Sequence, residues 1–180
     1  MKSALVLFAQ GSEELEAVTI VNILRRGGID VTMAGLTGGA LRGARGITIT
    51  PDTTLDAVLH DSFDMIVLPG GQPGTNHLKD DARLRALLNS TAKQGKYVAA
   101  ICAAPIVLAA AGLLDGKQAT CYPGSLDAFP AVLHKTSAIV EDGKLITSRG
   151  PGTAMDFALI LVERLAGAAK RHEVETGLVR

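Results

Sequence analysis

The sequence predicts an α/β protein: a mostly parallel sheet with helices on both faces. Three observations lead there. Of the 180 residues 47% are hydrophobic, yet aromatics are only 3% and tryptophan is absent, so the core must be built from Ala, Val, Leu and Ile. Short runs such as residues 65–68 are apolar throughout rather than alternating, as strands buried on both faces are. Stretches of helical periodicity fall between these runs, which is the order of a parallel sheet with crossover helices.

Residues 5–9 read as the first buried strand. Ser12 follows as a helix N-cap, with Glu13 and Glu14 in a first turn where the helix dipole favours acids. Gly27-Gly28 stop that helix. A second strand spans 29–34. The segment 35–46 is rich in Gly, with short extended pieces around Leu41-Arg42 and 47–50. Residues 51–54 form a turn and 55–59 a short helix. Met65-Ile66-Val67-Leu68 is the third buried strand, closed by Pro69-Gly70-Gly71. Residues 82–94 form an amphipathic helix whose core face is marked by Leu84, Leu87 and Leu88. The fourth strand is 97–101. Pro105 opens the next helix, in the first-turn position that Pro tolerates, and Gly112 ends it. Residues 138–140 and 145–147 flank an Asp142-Gly143 hairpin turn. Helices over 152–165 and from Ala168 complete the chain, which shows no repeat or linker and has the length of one domain over 1–180.

Eighteen basic residues balance eighteen acidic ones. That excludes a broad electrostatic footprint for nucleic acid while leaving room for a local basic pocket. The apolar run near the start ends at Gln10-Gly11-Ser12, too short for a signal peptide or a membrane span. Two cysteines make no disulfide framework, and the expected compartment is the reducing cytoplasm. The cysteines are not in Cys-x-x-Cys spacing and the four histidines match no metal or triad pattern, so no metal is expected.

In parallel sheets ligands collect beyond the carboxyl ends of the strands. Glu16, Gly70-Gly71 and Cys102 all fall there. A buried cysteine is commonly a packing residue. Cys102, however, sits between the run Val98-Ala99-Ala100-Ile101 and a helix opened by Pro105. Free backbone N–H groups and the helix dipole there favour thiolate. The pattern parallels the strand-turn-nucleophile elbow of hydrolases, with Cys in place of Ser. Position alone leaves the two readings balanced. Glu16 falls between Ile20 and Ile23 on the helical wheel, facing the sheet, where a carboxyl must be paired or protonated. It is also an ordinary first-turn acid. Glu13 and Glu14 fit that description equally, and the wheel does not exclude Glu13 from a pocket. Near a thiolate, such a carboxyl keeps its proton, donates a hydrogen bond to sulfur and can act as a shuttle. Gly70-Gly71 meets the needs of a tight turn, or aims an N–H at an oxyanion together with that of Ala103. No phosphate-loop pattern is present. His77 or His134 would pair with Cys102 only through space, and Cys121 reads as a semi-buried or edge thiol. Arg25-Arg26 suit a helix end, Arg45 a solvated loop, and Ser148-Arg149-Gly150-Pro151-Gly152-Thr153 a strand-to-helix turn.

Taken together, Gly11-Ser12-Glu13-Glu14-Leu15-Glu16, Val67-Leu68-Pro69-Gly70-Gly71, Ala99-Ala100-Ile101-Cys102-Ala103-Ala104-Pro105 and Thr147-Ser148-Arg149-Gly150-Pro151-Gly152-Thr153 resemble the ThiJ/PfpI superfamily, in its branch of parkinsonism-associated protein deglycases and their bacterial relatives. The resemblance spans the chain. It implies a flavodoxin-like three-layer sandwich that forms a homodimer and uses no cofactor. It implies Cys102 as an oxidisable nucleophile, Glu16 as its carboxyl partner, and Gly71 and Ala103 as oxyanion-hole amides. It also implies a substrate pocket that includes Gly70, Arg26 and Arg45 (arginines lent across the dimer), Tyr122, Gly150 and Pro151. Two positions depart from the pattern. Ala103 stands where relatives with a Cys-His-acid triad carry His. Tyr122 stands where many members carry a pocket His, and a phenol with a pKa near ~10 is a poor base at neutral pH. The implied function is that of a cysteine-dependent protein deglycase or cofactor-free glyoxalase, acting on 2-oxoaldehydes such as methylglyoxal and their adducts on protein side chains. An oxidative-stress sensor or redox-regulated chaperone is the second expectation. A cysteine peptidase or amidotransferase ranks third, because no His follows the nucleophile.

Overall fold

Successive side chains of a strand point to opposite sides of a sheet, and in this protein both sides are apolar. The computed structural model describes residues 1–180. In chain order its elements are β1 (Ser3–Phe8), α1 (Glu14–Arg26), β2 (Asp30–Gly35), β3 (Leu41–Arg42), β4 (Thr48–Ile49), β5 (Thr53–Thr54), α2 (Leu55–Val58), β6 (Met65–Leu68), α3 (Gly74–Asp80), α4 (Ala82–Lys93), β7 (Tyr97–Ile101), α5 (Pro105–Ala110), β8 (Gln118–Ala119), β9 (Leu133–His134), β10 (Ile139–Asp142), β11 (Leu145–Ser148), α6 (Ala154–Ala166) and α7 (Ala168–Gly177). A 3-10 turn, Pro151–Thr153, leads into α6.

Seven strands form the central sheet in the order β10-β11-β7-β6-β1-β2-β5. All pair in parallel except β10, which returns antiparallel to β11 through the Asp142–Leu145 hairpin. Ala4, Val6 and Phe8 of β1 pack on one face with Ile20 and Leu24 of α1 and Phe157 and Leu161 of α6. Leu5 and Leu7 pack on the other with Leu84 and Leu88 of α4 and Leu108 of α5. Each of the larger buried side chains contributes about 2 kcal/mol through removal from water. The result is the predicted three-layer arrangement. No helix is long and apolar enough to cross a membrane.

β1 lies between β2 and β6, so the connections on its two sides run in opposite directions and open a crevice at the strands' carboxyl ends. The turns after β1, β6 and β7 meet there. Glu13 N–H donates to Gly70 O at 2.8 Å, which ties the first turn to the second. Gly11 N–H donates to Arg42 O and Ala44 N–H to Ser12 O, each at 2.8 Å, which ties the β3-β4 hairpin to the same place.

The local expectations met three differences. Ser12 does not cap α1. The helix starts at Glu14, flanked by Glu13 with no side-chain cap, and Ser12 Oγ instead accepts the Ala9 N–H at 3.0 Å inside the turn. α3 was not anticipated, because its sequence Gly-Thr-Asn-His-Leu-Lys-Asp carries one large apolar residue and shows no periodicity. The two-residue strands β8 and β9 pair only with each other, over a span too short for any pattern.

Candidate active site

Cys102 follows β7 directly, and its backbone adopts φ +64°. An L-residue takes that conformation only when its surroundings impose it. Here the imposition is visible. Cys102 N–H donates to Ser148 O at 3.0 Å, its own carbonyl accepts the Tyr122 N–H at 2.7 Å, and Ala104 N–H closes on Ile101 O at 3.0 Å. The residue is only 7% exposed, yet it lines a cleft of about 350 Å³ together with Ala103. This is the elbow geometry that the sequence pattern anticipated.

Gly70 and Gly71 are glycines for reasons of space. A Cβ on Gly70 would stand 2.6 Å from Cys102 Cβ and 3.0 Å from Glu16 Oε2. A Cβ on Gly71, whose φ is +86°, would stand 2.3 Å from Glu13 N. The turn after β6 is therefore pressed against both the nucleophile's turn and the start of α1. Gly70 N–H donates to Glu16 Oε2 at 2.7 Å, while Glu16 Oε1 has no hydrogen-bond partner.

The three acids at the start of α1 go to three destinations. Glu16 is fully buried beside Cys102 and Gly70. Glu14 turns to the hairpin, where its carboxylate accepts the N–H groups of Arg45 (2.9 and 3.1 Å) and Ile47 (3.1 Å). Glu13, which no site assignment from sequence had retained, lines the cleft, and its Oε2 lies 3.6 Å from Arg45 Nε. Only the packing of the hairpin onto α1 separates these roles; periodicity treats the three acids alike.

Among the other expected pocket residues, Arg45, Tyr122 and Pro151 line the cleft. Tyr122 is 53% exposed. Gly150 stands behind its ring: a Cβ there would lie 3.6 Å from Tyr122 Cδ2. Thr153 Oγ1 accepts the Gly150 N–H at 3.1 Å and meets Ser148 Oγ at 2.7 Å, which holds Pro151 at the rim. Arg26 is not brought to this cleft. Its Nε donates to Asn22 Oδ1 at 2.8 Å, and it lines a separate groove with Val18, Val21 and Met33. Neither histidine considered for Cys102 reaches it. His134 Nε2 lies 3.7 Å from Cys121 Sγ, and His77 Nδ1 3.0 Å from Gln10 O.

Burial raises the affinity for protons at both central groups. The Glu16 carboxyl is pushed up to about 7, mainly because burial penalises its charged form, against the pull of the Gly70 N–H. The Cys102 thiol is pushed up to about 12, first by burial and then by the charge and hydrogen bonding of Glu16, while the N–H groups of Ala103 and Gly71 pull it down. The two groups share one proton balance: a protonated Glu16 removes its own contribution to the rise at sulfur. The N–H groups of Ala103 and Gly71 favour thiolate, but α5 has only six residues and burial outweighs the helix start. A protonated Glu16 therefore eases thiolate formation, against the larger effect of burial. Glu14, by contrast, is held below the usual carboxylate range. Burial acts to raise it, and the N–H groups of its own residue, Ile47 and Arg45 outweigh that. No group of three or more His, Cys, Asp or Glu side chains is placed to hold a metal ion.

The DJ-1/PfpI family model matches residues 2–164. The chain belongs to the DJ-1/PfpI family. Its similarity to other members extends over nearly the full length. The Drosophila melanogaster protein dj-1beta is 48% identical over 99% of this chain and 97% of that protein. The crystal structure of Drosophila DJ-1beta superposes with a TM-score of 0.96 over 99% of this chain and 97% of that one, at 47% identity. The oxidized form of Toxoplasma gondii DJ-1 also reaches 0.96, at 38% identity, covering 99% of this chain and 98% of that one. The Caenorhabditis elegans protein named glutathione-independent glyoxalase DJR-1.2 is 37% identical over 96% of this chain and 94% of that protein.

Proposed function

We propose that this protein is a cysteine-dependent, cofactor-free glyoxalase and protein deglycase acting on 2-oxoaldehydes such as methylglyoxal and on their adducts with protein side chains. The observation that carries this reading is Cys102, held at φ +64° on the cleft floor with a buried carboxyl beside it. The glyoxalase name of the worm relative supports the substrate class.

The Cys102 thiolate attacks the aldehyde carbon, forming a C–S bond, and the carbonyl oxygen becomes an oxyanion facing the N–H groups of Gly71 and Ala103. Protonation of that oxygen gives a hemithioacetal. Glu16 then takes the proton from the former aldehyde carbon and returns it to the neighbouring carbonyl carbon, while the hydroxyl proton passes to that carbon's oxygen by way of an enediol. The first carbon is thereby oxidised to a thioester and the second reduced to an alcohol, with no external oxidant. Water hydrolyses the thioester, releasing lactate from methylglyoxal or glycolate from glyoxal and restoring the thiol. A carboxyl poised at about 7 is suited to taking and returning a proton near neutral pH. Tyr122 stands at the rim and orients substrate rather than acting as a base.

The same reading places the protein in a homodimer. Leu15 and Val18 are exposed one turn apart on α1, and Ile47 is exposed beside the start of that helix. Arg26 lines the groove beside Val18 on this face, where a partner would meet it. Methylglyoxal turnover by the wild type, Cys102→Ser and Glu16→Gln is the test. Lactate formation that survives in Cys102→Ser at the wild-type rate would overturn the proposal.

A second reading has its own support. Cys102 opens onto the cleft, which gives an oxidant access to its sulfur, and a structural relative is an oxidized form. Intact mass after mild peroxide, together with absence of aldehyde turnover, would favour a sensor over an enzyme.

A further inference from the structure

Glu13 takes no part in the chemistry above, yet it lines the same cleft as Cys102. Of the nine lining residues only Glu13 and Arg45 carry full charges; Ala44, Gly71, Gln72, Ala103, Tyr122 and Pro151 add none. The two charges are not equivalent. The Glu13 side chain is 9% exposed and that of Arg45 79%, and their contact is long, 3.6 Å. A charge at a dry protein edge acts over a longer range than one surrounded by water and ions. Glu13 is also fixed in place. Its backbone N–H is bonded to Gly70 O at 2.8 Å, so it rides on the turn that positions Gly71. Its charge reaches the reacting pair, because it adds to the upward shift of Glu16.

We infer that Glu13 is a specificity-determining residue: its carboxylate makes the Cys102 cleft accept uncharged electrophiles and reject those that carry a carboxylate beside the reacting carbon. The inference rests on the reading of Cys102 as the reacting thiol. It also favours product release in the proposed reaction, since a neutral 2-oxoaldehyde enters and a hydroxy-acid anion leaves past the same negative charge.

Iodoacetamide and iodoacetate test this without any turnover. They have the same size and leaving group and differ in a carboxamide against a carboxylate. In both, sulfur forms a bond to carbon as the C–I bond breaks and iodide departs. The readout is the ratio of the two rates at Cys102, followed by peptide mass and referred to N-acetylcysteine in the same buffer. The thiolate fraction enters both rates equally and cancels in the ratio, and the rates are compared at pH 6, where the Glu16 carboxyl, pushed up to about 7, is mostly neutral and adds little charge of its own. The wild-type ratio should exceed the reference about tenfold in favour of the amide, as a partly buried charge at close range implies. Glu13→Gln should bring it to the reference or below, Glu13→Asp should retain the preference, and Arg45→Gln should strengthen it. A Glu13→Gln ratio equal to wild type overturns the inference, as does a preference lost in Glu13→Asp. Failure of both reagents to label Cys102 overturns the reactive-thiol reading and this one with it. Turnover of glyoxal, which carries no carboxylate, is a separate readout. If wild type does not turn it over, the glyoxalase reading fails while the alkylation ratio still decides the role of Glu13.

Discussion

The two cysteines of this protein are a natural pair of opposites. Both are free thiols, both are buried, and both are raised in pKa by burial. Each has an ionisable neighbour: Glu16 for Cys102, and His134, at 3.7 Å, for Cys121. On partner type alone Cys121 would be the better candidate, because an imidazole is the commoner activator of a thiol. Yet Cys121 is fully enclosed among the residues packed on the α4-α5 face, whereas Cys102 sits at φ +64° and lines a cleft. Backbone geometry and access decide which thiol can meet a substrate; the neighbour decides only what happens to the proton afterwards.

The sharpest way to break this contrast is to remove each thiol in turn. Cys102→Ser should lower methylglyoxal turnover at least about a thousandfold, as loss of a nucleophile does. Cys121→Ser should leave turnover within about twofold and cost about 1 kcal/mol of stability in denaturant melts through its buried hydroxyl. Comparable losses in the two variants would collapse the distinction.

Glu16→Gln tests the proton balance. Turnover should fall about a hundredfold, the usual size of a lost acid-base group. Stability should respond as well. The carboxyl rises from 4.5 to about 7 on folding, so its contribution is fully present below pH 4.5 and is lost as pH climbs through 7. Over that window wild type should lose roughly 3 kcal/mol relative to Glu16→Gln, read as diverging melts between pH 4.5 and 8. Alkylation of Cys102 at pH 8 should be faster in Glu16→Gln, because the charge that raises the thiol is gone.

Gly71→Ala probes the turn that brings the groups together. Its φ of +86° and the 2.3 Å approach to Glu13 N leave no room for a methyl group, and about 2 kcal/mol of stability should be lost with most of the activity. The smallest effect is expected at the rim. Tyr122→Phe should change kcat/KM by about threefold or less, the worth of one exposed hydrogen bond. A hundredfold loss would show the phenol in the chemistry.

Much of this arrangement was legible before any coordinates. The apolar runs placed β1, β6 and β7, and Pro105 placed the helix after Cys102, because strand burial and helix starts are written in neighbouring residues. α3 was not legible, since its sequence carries a single large buried apolar residue, Leu78. The Ser12 cap was misassigned because a hydroxyl that suits a helix start suits a turn amide equally well, and the turn won.

The sequence by itself determined the layers of the sheet, the order of the elements and the place of Cys102 between a strand and a helix, all of which follow from local periodicity and turn chemistry. Its resemblance to known relatives singled out Glu16. Tertiary structure alone decided how Glu13, Glu14 and Glu16, packed into four consecutive positions, divide among cleft, hairpin and thiol. It also decided that His134 meets Cys121 rather than Cys102, and that Arg26 lies outside this chain's own cleft. The reason is distance along the chain. Glu16 finds Gly70 54 residues away and Glu14 finds Arg45 31 residues away, and no pattern within a helical turn records which of several like charges a remote backbone amide will choose.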